Sequence, residues 1–169
     1  MSSEDTVLFR EVQRFDQWWL WLLVFISTSM MWYGAIQQLV FGRPFGENPA
    51  SDTEMSLLLV IFGVILPLFM YSLKLITEVR QDGLYIRFYP FHFSYRRYPY
   101  ESIASYKIRV YSPLKEYGGW GIRYGSKGRA YNVSGDRGVQ LEFNDGKNLL
   151  IGSQKPEEME RCMHIAMRR

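Results

Sequence analysis

The alternation of apolar and charged positions divides the chain into three stretches. No charged residue occurs from Gln17 to Gly42, and none from Met55 to Leu73. A helix of about 20 apolar residues crosses a hydrocarbon layer of about 30 Å, so each block predicts a membrane-spanning helix. The first holds ten Leu, Ile, Val or Phe residues and the second twelve. On an insertion scale this is roughly −3 to −7 kcal/mol per helix, before Gln37, Gln38 and other polar positions are subtracted. The alternative is a pair of buried helices in a soluble core. Such helices need protein on every face, and the remaining chain is too short to supply it. Trp18, Trp19 and Trp21 open the first block, where amphipathic rings favour the headgroup level. Pro67 lies within the second, and its ring is expected to crowd the Gly63 carbonyl and kink the helix there.

The tail before the first block places Leu8, Val12 and Phe15 at helical spacing. That pattern predicts an amphipathic segment on the membrane surface or an upward extension of the first helix, with a plain solvated tail as the alternative. The apolar run is too long for a secretory signal, and the tail carries four acids against two bases.

After Leu75 the period changes to two. Leu84, Ile86 and Phe88 alternate with Tyr85, Arg87 and Tyr89, as in a half-buried strand. Strands are predicted at 75–80, 84–89, 93–98, 103–111, 120–124, 130–133, 139–143 and 147–151. Gln81-Asp82-Gly83 and Asn144-Asp145-Gly146 supply hairpin turns. Pro156 opens a helix with Glu157 and Glu158 at its positive end and Arg168 and Arg169 at the other. Met159 and Met163 form its buried stripe. No apolar helices alternate with the strands, so a parallel sheet is not expected. The expected fold class is α+β: a helical hairpin, then a small antiparallel barrel or sandwich of about seven strands closed by a C-terminal helix.

Charge orients this plan. The segment from Arg43 to Glu54 has one base, whereas Arg10, Arg14, Lys74 and Arg80 flank the opposite ends of the helices. Bases mark the cytoplasmic side. The expected organisation is a cytoplasmic tail (1–16), a first transmembrane helix (17–42), an outer loop (43–54), a second transmembrane helix (55–74) and a cytoplasmic domain (75–169). Both termini are then inside, and the Asn132-Val133-Ser134 glycosylation triplet is never presented to the machinery that reads it.

Composition narrows the class without naming a reaction. The chain has 169 residues, 17% of them aromatic, and a single cysteine. This excludes a disordered chain and a disulfide framework. From Glu78 onward 16 Lys and Arg face 10 Asp and Glu, which suits a domain close to an anionic leaflet. The two histidines, His92 and His164, and Cys162 show no spacing for a nucleophile or a metal site. Neither catalytic residues nor a cofactor are expected. Gly125-Ser126-Lys127-Gly128-Arg129 lacks the P-loop spacing and reads as a hairpin, or as a basic loop meeting lipid phosphates. Arg96, Arg97, Lys127 and Arg129 are the candidate lipid or partner contacts, with Lys115 nearby.

Three segments carry a resemblance: Gly119-Trp120-Gly121-Ile122-Arg123, Arg137-Gly138-Val139-Gln140-Leu141, and Asp145-Gly146 with Leu150 through Glu158. Glu11-Val12-Gln13-Arg14-Phe15 extends it. With the order of elements, they make the chain resemble prokaryotic two-helix membrane proteins with a C-terminal pleckstrin-homology-like (PH-like) domain, mostly uncharacterised. The resemblance implies an architecture. A departure lies in the Gln81-Asp82-Gly83 loop, which lacks the bases that phosphoinositide-binding PH domains carry around the matching hairpin. The expected function is non-enzymatic: an integral membrane protein presenting an interaction domain at the inner face of the cell membrane, for a protein partner or its own copies. The alternative is electrostatic binding of anionic lipid headgroups, and a small transporter or enzyme subunit stands further off. Membrane lipids and an unidentified protein or a homo-oligomeric partner are expected, and nucleic acid is not.

Overall fold

The computed structural model describes residues 6–125 and 127–168. Ser126 of the expected basic loop and Arg169, expected at the end of the last helix, lie outside them. Contacts divide the chain into two units. Phe15–Ser72 is one, and Met1–Arg14 with Leu73–Arg169 is the other.

The first unit holds two helices long and apolar enough to cross a membrane, Trp18–Val40 and Asp52–Ser72. The former is α1 (Trp18–Ala35) continued by a π-helical turn, Ile36–Val40. The latter is α2 (Asp52–Leu58), a π-helical stretch Leu59–Ile65, and α3 (Leu66–Ser72). The widened stretch precedes Pro67, where the ring removes a donor and displaces the backbone of the turn before it. The carbonyls there are taken up by α1: Trp32 Nε1 donates to Gly63 O at 3.2 Å and Thr28 Oγ1 to Phe62 O at 3.4 Å. Gly63 permits this approach, since a Cβ there falls 2.8 Å from Leu59 Cδ1 and 3.2 Å from Trp32 Nε1. The second helix starts at Asp52, three residues before the apolar block, because Ser51 and Glu54 form a reciprocal capping box. At the same end Gln38 Nε2 donates to Ala50 O at 2.7 Å and to Asp52 Oδ1 at 3.0 Å. In the most apolar stretch of each helix, 11% of the residues are buried.

The second unit is built from two sheets. Sheet A has the order β1-β2-β3-β4 and is antiparallel, with β1 (Val7–Arg14), β2 (Lys74–Arg80), β3 (Gly83–Tyr89) and β4 (Arg96–Tyr98). Sheet B comprises β5 (Ile103–Val110), β6 (Gly121–Gly125), β7 (Gly128–Asn132), β8 (Arg137–Phe143) and β9 (Asn148–Gly152), in the order β5-β8-β9-β7-β6. Leu75, Val79, Leu84, Ile86 and Phe88 of sheet A and Tyr131, Val139, Leu141, Leu149 and Ile151 of sheet B are buried. So are Met159 and Met163 of α5 (Pro156–Met167), which packs against β1, β2, β5 and β8. A short helix α4 (Pro113–Tyr117) adds a small apolar cluster of Tyr111, Tyr117, Ala130 and Leu150.

Three expectations are corrected. The sheets do not close into a barrel. Strand β4 is only three residues long, and the chain turns through a 3-10 segment, Tyr100–Ser102, before sheet B begins. The sheet is not wholly antiparallel, since β7 and β9 pair in parallel. The N-terminal tail is neither helical nor free, because Val7–Arg14 is an edge strand of sheet A. Its inward positions are Phe9, Glu11 and Gln13, all buried. Two of the three are polar, which conceals the period of two that marks a strand.

Glu11 and Gln13 face inward because polar partners meet them there. Glu11 accepts from Ser153 Oγ at 2.6 Å and from the Gln154 amide at 2.8 Å. Gln13 Nε2 donates to Gly152 O at 2.7 Å. The tail thus locks onto the segment between β9 and α5.

Candidate functional site

The four candidate bases fall into separate environments. Strand alternation sorts the first two. Arg96 pairs with Ile86 and Arg97 with Tyr85, so Arg96 lies on the core side of β4 and Arg97 on the outer side. Arg97 is tied by Asp82, Nε to Oδ2 at 2.9 Å and Nη2 to the backbone oxygen at 3.1 Å. Lys127 sits 3.5 Å from Glu116, which also takes Arg109 and the Ser112 amide.

Arg96 and Arg129 do come together. Each donates through Nη1 to the Tyr131 hydroxyl at 3.2 Å. Among the described residues neither has a carboxylate partner. Two guanidiniums around one neutral oxygen form a place that favours an anion. Tyr124 lies against the Arg129 guanidinium at 4.8 Å. Burial, reinforced by the neighbouring Tyr131, pushes the Tyr98 hydroxyl up to about 12, so it stays a neutral donor.

His92 is the root of this group. Its ring stands edge-on to Tyr131 with centroids 5.5 Å apart, and Nδ1 accepts from the Phe88 amide at 3.2 Å. The proton of the neutral ring is therefore on Nε2. Burial lowers its pKa, and the charges of Arg96 and Arg129 lower it further.

Beside the pair opens a cleft of about 980 Å³. Its walls carry the aromatic rings of Tyr98, Tyr124 and Phe143 and the bases Lys127, Arg129 and Lys147. Asp145 is the acid on this lining, and Lys147 Nζ already holds it at 2.6 Å. One wall belongs to the hairpin of β6 and β7, and β6 is the last strand of its sheet.

A second array, not among the bases singled out from the sequence, lies on the outer face of sheet A. Glu78, buried there, accepts from Arg80 at 2.7 Å and from the Tyr95 hydroxyl at 2.8 Å, with Arg10 at 3.3 Å. Arg80 lies between the rings of Tyr85 and Tyr95, at 4.4 and 5.5 Å from their centroids. Lys74 and Arg87 sit over Tyr89 at 5.3 and 5.5 Å. The signal was present in the alternation of Tyr85, Arg87 and Tyr89, whose outward set is cationic and aromatic.

Groups with reactive side chains lie apart. Cys162 donates weakly to Leu8 O at 3.5 Å, and burial raises its thiol pKa. His164 Nδ1 is 3.3 Å from the Tyr106 hydroxyl. Among the described residues no group of three or more His, Cys, Asp or Glu could hold a metal ion.

Architecture and cleft define a protein with two helices apolar and long enough to cross a membrane, a two-sheet β unit and a basic, aromatic groove. The chain belongs to DUF6141, a family of unknown function, whose model matches residues 1–168. No curated protein and no solved structure matches it.

Proposed function

We propose that this protein is a non-enzymatic integral membrane protein whose β unit is an interaction module at the cytoplasmic face. The low burial of the helices supports insertion, since lipid would cover apolar faces that protein does not. The two sheets with α5 packed at β1, β2, β5 and β8 support a PH-like reading of the β unit. The Arg and Lys bias of Arg10, Arg14, Lys74 and Arg80 over Arg43 supports an inside position for both termini.

The observation that carries the functional reading is the cleft beside the Arg96–Arg129 pair. It sets Arg129, which has no carboxylate partner among the described residues, beside Lys127 and Lys147, the exposed ring of Tyr124 and an edge strand, which together suit an extended acidic segment of a protein partner. Its position favours protein over the headgroups of the same bilayer. Tyr98, on the cleft wall, pairs with Leu84 near the start of β3, whereas Lys74, where the chain returns from the helices, pairs with Tyr89 at its end. Five residues of strand separate the two ends by roughly 17 Å, and the opening is thus set back from the strand ends that lead to the helices.

The test is photocrosslinking from position 124 of the full chain in native membranes. A protein adduct that Lys127→Glu with Lys147→Glu abolishes, and that rising salt weakens, is the expected result. Adducts confined to lipid would transfer the cleft to the headgroup reading. Crosslinks between copies would identify the partner as the chain itself.

A further inference from the structure

The loop between β3 and β4 displays two phenylalanines. Phe93 is 87% exposed and Phe91 58%. Their exposure is not the looseness of a free loop, because the residue between them is pinned. His92 is buried, its amide donates to Phe88 O at 2.8 Å, its ring accepts from the Phe88 amide at 3.2 Å, and its carbonyl accepts from Arg87 Nε at 3.2 Å. The ring also meets Tyr131 edge-on. With His92 held inward, Phe93 is directed into the surroundings, while the part-exposed Phe91 rests against Phe88 with ring centroids 6.1 Å apart.

The place of this loop is fixed by register. Arg14 pairs with Lys74 and Lys74 with Tyr89. Arg14 and Lys74 end the strands at the points where the chain passes to and from the apolar helices. Tyr89 is the last residue of β3, so the loop springs from the same end of sheet A. Nearby, Lys74 and Arg87 have no carboxylate partner among the described residues and rest on the Tyr89 ring. Glu78 and Asp82, the acids of this face, are committed farther along the strands to Arg10 and Arg80, and to Arg97.

We propose that this loop is a membrane-contact site. Phe93 enters the interfacial layer of the bilayer that holds the helices, with the exposed edge of Phe91 beside it, while Lys74 and Arg87 meet its anionic headgroups. Apolar rings flanked by cations are the chemistry of interfacial attachment, and tethering at Arg14 and Lys74 keeps the loop close enough for a weak contact to persist. The contact fixes the sheet unit against the membrane at one end and leaves the basic cleft open at the other. This inference rests on the membrane reading of the helices.

The experiment uses the full chain, with Cys162→Ser, in vesicles of phosphatidylcholine with phosphatidylglycerol. A single cysteine bearing the fluorophore NBD is placed by Phe93→Cys, by Gln81→Cys in the turn at the opposite end of sheet A, or by Phe25→Cys in α1. The expected result is blue-shifted emission at 93, quenched by nitroxide-labelled lipid and protected from aqueous iodide, with the probe at 81 open to iodide. Weaker lipid quenching at 93 is expected when Lys74→Glu and Arg87→Glu are added. The proposal is overturned if position 93 is as open to iodide as 81 while 25 is quenched by lipid. It is equally overturned if protection at 93 vanishes on dilution of protein in lipid, which would make the contact one between copies. If 25 itself escapes lipid quenching, the membrane reading fails first and the loop contact with it.

Discussion

Glu11 shows how much one side chain can fix. It is a buried carboxylate from the first strand, and its two oxygens take the Ser153 hydroxyl and the Gln154 amide just ahead of α5. Removing it leaves both donors without an acceptor in a dry place. Glu11→Ala is expected to destabilise the β unit by about 2–3 kcal/mol, and Glu11→Gln by less. Thermal unfolding of the detergent-purified protein, followed by strand circular dichroism, measures this. An unchanged transition for the Ala variant would show that the contact is incidental. His92 gives a pH effect of definite sign. Its folded pKa lies below the ordinary histidine value, so the unfolded chain takes up its proton first as pH falls. Stability is therefore lost below about pH 6.5 and levels off once the folded protein also protonates. His92→Asn, which keeps an acceptor for the Phe88 amide, is expected to flatten the melting temperature over that range relative to wild type. An identical pH profile in both proteins would contradict the assignment.

Among the elements, the helix pair depends on the contact between Trp32 and the widened turn before Pro67. Trp32→Phe removes the donor to the Gly63 carbonyl, a loss of about 1 kcal/mol for such interhelical bonds. Gly63→Leu adds bulk where a Cβ already falls 2.8 Å from Leu59 Cδ1 and is expected to separate the helices. Disulfide trapping between cysteines placed on the two helices reads both effects, and efficient trapping in Gly63→Leu would show that the close approach is dispensable. These elements also show what a sequence reveals. The charge-free blocks, the Asp82-Gly83 and Asn144-Asp145-Gly146 turns and the methionine stripe of α5 are local patterns, and each appears where its period or turn chemistry places it. The Gly63 carbonyl, which Pro67 cannot meet with a backbone N–H, instead accepts from Trp32. Strand β1 was hidden because its inward positions are Glu11 and Gln13, whose partners lie more than a hundred residues away. The start of α2 was legible in Ser51-Asp52-Thr53-Glu54, a capping pattern outweighed by the charges it contains. Of the candidate bases, Arg96 and Arg129 meet only through Tyr131, and β4 turns Arg97 to the other face. That sorting needs strand register, which Arg96-Arg97 does not disclose.

At the scale of the molecule, the helical unit is inserted between two neighbouring strands of one sheet, since Arg14 and Lys74 pair on either side of it. The sheet therefore cannot form until the helices have been made and the chain has returned. Truncation after removal of residues 1–14 is expected to leave the Gly152–Gln154 segment without its partners and to yield a protease-sensitive β unit. Resistance equal to that of the full chain would argue that β1 is an accessory strand. The proposed function depends on the bilayer: helices that insert would hold the β unit, the β3–β4 loop would settle it on the surface, and the basic cleft would remain open to a partner.

That dependence is tested most directly by accessibility of substituted cysteines in intact cells producing the full chain with Cys162→Ser. A cysteine at Asn48, between the helices, is expected to react with a membrane-impermeant maleimide added outside, and one at Asp145, on the cleft, to react only after the cells are opened. Labelling of Asp145→Cys from outside, or recovery of the unaggregated protein in the soluble fraction without detergent, would contradict the account.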